Sequence, residues 1–426
     1  MWVRLQLDFR WRDLTHGMAS LVTPHRLAAL SDAIERRFSP AGNAIATLSV
    51  RSGFDLLLGA QDWPTGSEIV FSALNIPDMA MVARQRGLVP VPVDLDLESL
   101  APNLAQLERA ITPRTRAILI AHLYGNFVPL EPILALARRH NLMLIEDAAE
   151  IYDGVYHGHP DADVSLFSFG PLKTATALAG GVLRARDGDL IVRLRHNHAN
   201  WPRQGRWDYF KRMCKYGTLK LFGSKWLYGA VRNIARLAVG DVDKLIHHSA
   251  KSFREDEIMM RLRQQPCGPL LASMARRLAN FDSTRIAQRT ANGRLLAALL
   301  HGKIFCPGAE AESHNYWLFP AMVSDPRTAI DALKAAGFDV TNVQSMCAIA
   351  APVDRPELEA VRVQEALDRM ILLPCYPGIP ETELRRMAEV LTGIEVQANQ
   401  VTALKIAIPP GLAATPQACV EAERAG

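Results

Sequence analysis

Between Thr47 and Leu183 short β-rich runs alternate with helical patterns, and this alternation confines the chain to an α/β fold. The predicted strands are Glu68–Phe71, Val89–Asp94, Ala117–Ala121, Leu142–Ile145, Val164–Phe169 and Gly181–Leu183. The predicted helices between them include Met79–Gln85, Asn103–Ile111 and Leu130–His140. Strands this continuously apolar need cover on both faces, which helices provide in a mostly parallel sheet. Ligands of such sheets collect beyond the carboxyl ends of the strands. Two reactive side chains fall there: Asp147, just past Leu142–Ile145, and Lys173, shortly after Val164–Phe169.

Several other chemistries are disfavoured. The chain shows no Gly-x-Gly-x-x-Gly after a strand and no Gly-Lys-Ser/Thr loop, so dinucleotide and P-loop readings lack support. Six cysteines are scattered without a CxxC pair, which indicates neither zinc nor a disulfide framework and favours a reducing compartment. His196-Asn197-His198 lacks a third ligand and reads as structural, so no metal is expected. A net charge of +4 over 426 residues implies no nucleic-acid partner. Charge interrupts the first residues too early for a secretory signal, and no run of apolar residues is long enough to span a membrane. A cytoplasmic protein is expected, with peripheral contact at the inner face of the membrane left open through residues 203–236.

A carboxylate ending one buried strand and a lysine just past another suit pyridoxal 5'-phosphate (PLP). The lysine holds the cofactor as a Schiff base, and the acid keeps the pyridine nitrogen protonated so that the ring can accept carbanion electrons. The segments Ala121-His122-Leu123-Tyr124-Gly125, Ile145-Glu146-Asp147-Ala148-Ala149 and Phe167-Ser168-Phe169-Gly170-Pro171-Leu172-Lys173 resemble those of the DegT/StrS-type sugar aminotransferases, PLP-dependent enzymes of fold type I. Leu372-Leu373-Pro374-Cys375-Tyr376-Pro377 resembles their C-terminal lobe. The resemblance covers about 45–200 and 260–395. It implies that Lys173 binds the cofactor and moves the proton, and that Asp147 pairs with the pyridinium. It also implies that Ser168, with the Ser52-Gly53 turn opening a helix Phe54–Leu58, holds the phosphate.

The chain also departs from the family's pattern. Phe54 stands where a Thr is usual, and Glu150 where Gln or His is common. A ring-stacking aromatic is missing near Ala73–Ile76, and Met259 replaces an Asn that reaches the partner's phosphate. Glu150 is expected beside the cofactor's phenolic oxygen, either protonated or in contact with the substrate amine. Lys173 argues against the family's dehydratase branch, in which His replaces the lysine.

The expected division is an N-terminal helical segment 1–44, a large PLP-binding α/β domain 45–200, a basic aromatic insertion 201–260, a linking helix 261–300, a small C-terminal α/β domain 301–395 and a poorly ordered tail 396–426. Residues 203–236 carry nine basic side chains and one acid among Trp, Tyr and Phe. That composition suits three uses: a helix on an anionic membrane surface, a grip on a nucleotide-sugar diphosphate, or cover for a dimer partner. The resemblance implies a homodimer that moves an amino group from an amino-acid donor, glutamate by expectation, to a nucleotide-linked or lipid-linked keto-sugar. The alternative is a non-catalytic PLP-fold protein with an assembly or regulatory role.

Overall fold

The computed structural model describes residues 1–3, 6–222, 255–343 and 345–407. In chain order the first elements are α1 (Trp11–Ser20), α2 (Leu27–Phe38), β1 (Ala44–Thr47), α3 (Val50–Leu58), β2 (Glu68–Ser72), β3 (Leu74–Asn75), α4 (Pro77–Gln85) and β4 (Val89–Val93). There follow α5 (Leu104–Ala110), β5 (Thr115–Ala121), α6 (Glu131–Arg139), β6 (Met143–Asp147), β7 (Val164–Ser168), β8 (Gly181–Ala185), α7 (Gly188–Ala199) and α8 (Arg206–Phe222). Each strand predicted between Glu68 and Leu183 forms within two residues of its expected bounds, because an apolar run between turn residues leaves little other choice.

The strands make one mixed sheet in the order β1-β8-β7-β6-β5-β2-β4, parallel from β4 to β7 and antiparallel at β8 and β1. The period of two decides which side chains meet which layer. Ile69 and Phe71 join Phe54, Leu57, Met79 and Leu194 on the α3/α4/α7 face, whereas Val70 joins Ile118, Leu144 and Ile133 on the α6 face. β4, the sequence Val-Pro-Val-Pro-Val, tolerates its two prolines because it is the edge strand, pairing only with β2. Ala44–Thr47 was not predicted as a strand. Four small or β-branched residues carry too little pattern, and pairing with β8 creates it.

The expected linking helix is two helices, α9 (Glu255–Leu262) being followed by α10 (Gly268–Ala279) and α11 (Thr284–Leu300). The Asp282 carboxylate accepts the Thr284 N–H and hydroxyl, starting α11 afresh after a break at 280–283. The C-terminal lobe contains β9 (Phe319–Met322), α12 (Pro326–Ala335), β10 (Thr341–Asn342), β11 (Cys347–Ala348), α13 (Val361–Arg369), β12 (Met370–Leu373) and α14 (Glu381–Ala407). Its sheet runs β10-β12-β9 over a core of Phe319, Phe338, Ile371, Leu384 and Leu391, while β11 reaches back to pair with β3. α14 continues to Ala407, beyond residue 396 where a tail was expected, and 408–426 lie outside the described residues. Among the described residues no helix is long and apolar enough to cross a membrane.

The basic aromatic segment is described only to Phe222; 223–254 lie outside the described residues. Its described part, α8, is amphipathic. Tyr209 and Met213 are buried against α1 and α10, and the Tyr209 hydroxyl donates to the Ala177 carbonyl at 2.9 Å. On the outer face Trp207 stacks on Phe210 with ring centroids 4.7 Å apart.

Candidate active site

The acid pair closing β6 shows how one strand assigns opposite chemistry to neighbours. Glu146 points to one face, where His122 Nε2, the Ser165 hydroxyl, the Tyr156 hydroxyl and the His159 N–H all meet its carboxylate. Burial alone would raise that carboxyl, but those partners hold it at about 2. Asp147 points to the other face, 8% exposed, and among the described residues its carboxylate accepts only the Ala149 N–H at 3.1 Å. Burial raises it to about 6, against the smaller pull of that hydrogen bond and of Lys173. Glu146 is a satisfied structural ion. Asp147 is a buried acid short of a cation.

Asp147 lines a cavity of about 410 Å³ at the carboxyl ends of β6 and β7, together with Lys173, Glu150 and Ser168. Lys173 stands on the loop after β7. Its Nζ lies 2.9 Å from Glu150 Oε1 and 3.8 Å from the centroid of the Trp317 ring. Glu150 Oε2 accepts the Tyr124 N–H at 2.8 Å, and the Trp317 indole N–H donates to the Leu172 carbonyl at 3.0 Å. Glu150 thus contacts the lysine, a partner not anticipated for it. On its other side Lys173 lines a second, smaller cavity of about 70 Å³ with Trp317 and Arg289.

The loop carrying Lys173 is held from several directions. Ala175 and Leu178 adopt φ of 56° and 68°, the left-handed region that non-glycine residues seldom occupy. Arg289, pushed down to about 10 by burial, donates to the Thr174 hydroxyl and to both the carbonyl and side-chain oxygens of Asn315. Gly125, at φ 98°, allows this approach: a Cβ there would lie 2.3 Å from Asn315 Oδ1 and 2.5 Å from Trp317 N.

The first residues of α3 line the same cavity. Here the sequence reading needs correction. The helix begins at Val50 with Ser49 as its cap, so Ser52 and Gly53 are inside it and not at its mouth. The fully buried Ser52 hydroxyl meets Ser49 Oγ at 2.9 Å, and Gly53 faces Leu166 and Leu183 of the sheet. The N–H groups of Val50 and Arg51, in the first turn, have no hydrogen-bond partner among the described residues, and both residues line the cavity with Ser49. Ser168 lines the same cavity, its hydroxyl oxygen 3.4 Å from the Gly170 nitrogen that donates to it. Gly181 permits β8 to approach α3, since a Cβ there would fall 2.7 Å from the Ser49 carbonyl carbon.

The departures find physical reasons. Phe54 is fully buried and meets Phe71 edge-on at 6.2 Å, so it is a core residue. Met259 is buried in the same core. No aromatic stands at 73–76; instead Asn75, 3% exposed, lines the cavity, and its side-chain nitrogen has no partner among the described residues. Asn75, Trp317, Arg51, Arg212 and Tyr216 also line the two cavities and were not singled out from the sequence.

The arrangement fits PLP. It offers a buried acid awaiting a cation, a lysine reachable from the same cavity, and an end built of helix N–H groups and hydroxyls that suits an anion.

Residues 28–222 match the profile of the DegT/DnrJ/EryC1/StrS aminotransferase family. A GDP-perosamine synthase of Caulobacter vibrioides is 38% identical over 36% of this chain and 42% of its own length. A UDP-N-acetyl-3-dehydro-alpha-D-glucosamine 3-aminotransferase of Acidithiobacillus ferrooxidans is 33% identical over 38% of this chain and 46% of its own length. The matches therefore span less than half of these relatives. Among solved structures, Helicobacter pylori PseC, an aminotransferase of pseudaminic acid biosynthesis, superposes with a TM-score of 0.67 at 14% identity, covering 93% of this chain and 99% of that one. The fold is the α/β fold type I expected from the sequence.

Proposed function

We propose, from the match of residues 28–222 to the DegT/DnrJ/EryC1/StrS aminotransferase family, that this chain is a PLP-dependent aminotransferase acting on a keto-sugar. The observation that carries this reading is the unmatched Asp147 in one cavity with Lys173. When bound, PLP supplies the electron sink that stabilises charge developing at the donor's Cα. Asp147, as carboxylate, holds the ring nitrogen protonated, and burial strengthens that pairing. Lys173 would anchor the cofactor through its Nζ, and as a neutral amine the same atom would accept the proton from the donor's Cα. Glu150 and the Trp317 face hold the Lys173 Nζ in place and would stabilise the ammonium once that proton is taken. Ser168 and the first turn of α3, Ser49 to Arg51, bind the phosphate.

The donor in this reading is an amino acid, glutamate first, and the acceptor a nucleotide-linked or lipid-linked keto-sugar. The relatives' names support the nucleotide-linked form: one makes GDP-perosamine, another acts on a UDP-sugar. The working unit proposed is a cytoplasmic homodimer. The outer face of α8, with Trp207 62% exposed beside Lys211 and Lys215, supports peripheral contact with an anionic membrane. Liposome co-sedimentation tests that contact: Trp207→Glu with Phe210→Glu should release the protein, and unchanged partitioning removes the contact.

For the reaction itself, purified protein loaded with PLP should lose its visible absorption on addition of L-glutamate and regain it with a keto acid. A wild-type protein that stays colourless after incubation with PLP would sink the aminotransferase reading.

A further inference from the structure

We propose that Arg212, from the chain's own α8, is the cation that binds the cofactor phosphate. The assignment rests on the PLP reading of this cavity. Three cationic side chains line it: Lys173, Arg51 and Arg212. Lys173 is paired with Glu150, and Arg51 with Asp78. Arg212 has no carboxylate partner among the described residues; its Nη1 donates to the Leu178 carbonyl at 3.1 Å, leaving the rest of the guanidinium available.

That one hydrogen bond fixes where the guanidinium stands. Leu178 opens the turn Leu178-Ala179-Gly180, whose Gly180 N–H donates to the Leu48 carbonyl at 2.8 Å. Leu48 immediately precedes Ser49, the cap of α3. Arg212 is thereby tied, through one turn and two hydrogen bonds, to the wall formed by Ser49, Val50 and Ser168. Tyr216, one helical turn further along α8, lines the same cavity, and its hydroxyl has no hydrogen-bond partner among the described residues.

Charge favours the assignment. A phosphate monoester carries nearly two negative charges at neutral pH. The N-terminus of α3 contributes roughly half a positive charge, and the hydroxyls of Ser49 and Ser168 contribute none. A planar guanidinium forms paired hydrogen bonds to phosphate and remains charged at any working pH. The basic segment that includes α8 then has a function on its inner side: it brings the missing charge to the cofactor site from the same chain.

The test compares PLP with pyridoxal, which has the same aldehyde and ring but no phosphate. Each is titrated into full-length, cofactor-stripped protein and followed by absorbance. Arg212→Gln should weaken PLP by about 10- to 100-fold and leave pyridoxal within about twofold. Arg212→Lys should recover part of the loss, and inorganic phosphate should compete with PLP in wild type but hardly in Arg212→Gln. Equal PLP affinity in wild type and Arg212→Gln overturns the assignment, as does an equal loss for both ligands, which would mean a general distortion. A wild type that binds neither ligand overturns the aminotransferase reading and this assignment with it.

Discussion

Asp147 is buried at the end of β6 with one N–H for a partner, and ionising it there without cofactor opposes folding. Its value rises from 3.8 to about 6, chiefly through burial. An acid raised on folding contributes stability below its unfolded value and loses it as pH climbs through the folded one, so the loss falls between about pH 4 and pH 6 and above. By pH 8 the ionised group costs the cofactor-free protein about 3 kcal/mol, roughly half of it developing between pH 5 and pH 8. Asp147→Asn keeps the shape and removes the titration. Urea unfolding of stripped wild type and Asp147→Asn across that range should show the variant gaining on wild type as pH rises. The slope of the difference is the diagnostic, because the amide's own burial adds only a constant offset. With PLP bound the order should invert: the protonated ring nitrogen gives the carboxylate its cation, so PLP should raise the midpoint of wild type more than that of Asp147→Asn. A difference independent of pH, or equal stabilisation of both proteins by PLP, would refute the claim that Asp147 awaits a cation.

Other perturbations separate core from site. Phe54→Thr should cost roughly 3–4 kcal/mol in urea unfolding, because it empties a fully buried ring position beside Phe71; a stability equal to wild type would show that Phe54 is not core. Gly181→Ala should cost about 1–3 kcal/mol and weaken PLP, since its Cβ would push β8 off the first turn of α3; unchanged PLP affinity by titration would count against that turn as the phosphate seat. Glu150→Gln should cost about 1–3 kcal/mol in the stripped protein at pH 7, by leaving the half-buried Lys173 ammonium with only the Trp317 face and an amide; no change on unfolding would show the ion pair to be incidental.

The large sheet was legible because its strands are continuous apolar runs between turn residues, a signal carried within a few residues. Asp147, Lys173 and Ser168 were legible for the same reason, as they sit at or just beyond the ends of those strands. What was not legible depends on contacts far apart in sequence. Trp317 meets Lys173 across 144 positions, and nothing local to either residue announces it. Arg212 was one basic residue among nine in its segment, and only the packing of Tyr209 and Met213 turns it toward the cavity. Ser52-Gly53 resembles a phosphate turn in sequence but lies inside α3, which begins at Val50. The capping Ser49, whose side chain accepts the Ser52 N–H, was the local signal that would have moved the start to Val50.

The central claim is that Lys173 carries the cofactor. Borohydride reduction of the PLP-loaded protein, followed by digestion and peptide mass mapping, tests it at the atom concerned, by fixing any Schiff base in place. The account predicts the added mass of reduced cofactor on the peptide containing Lys173 and none in Lys173→Ala. An adduct confined to another lysine, or no adduct from a protein saturated with PLP, would contradict it.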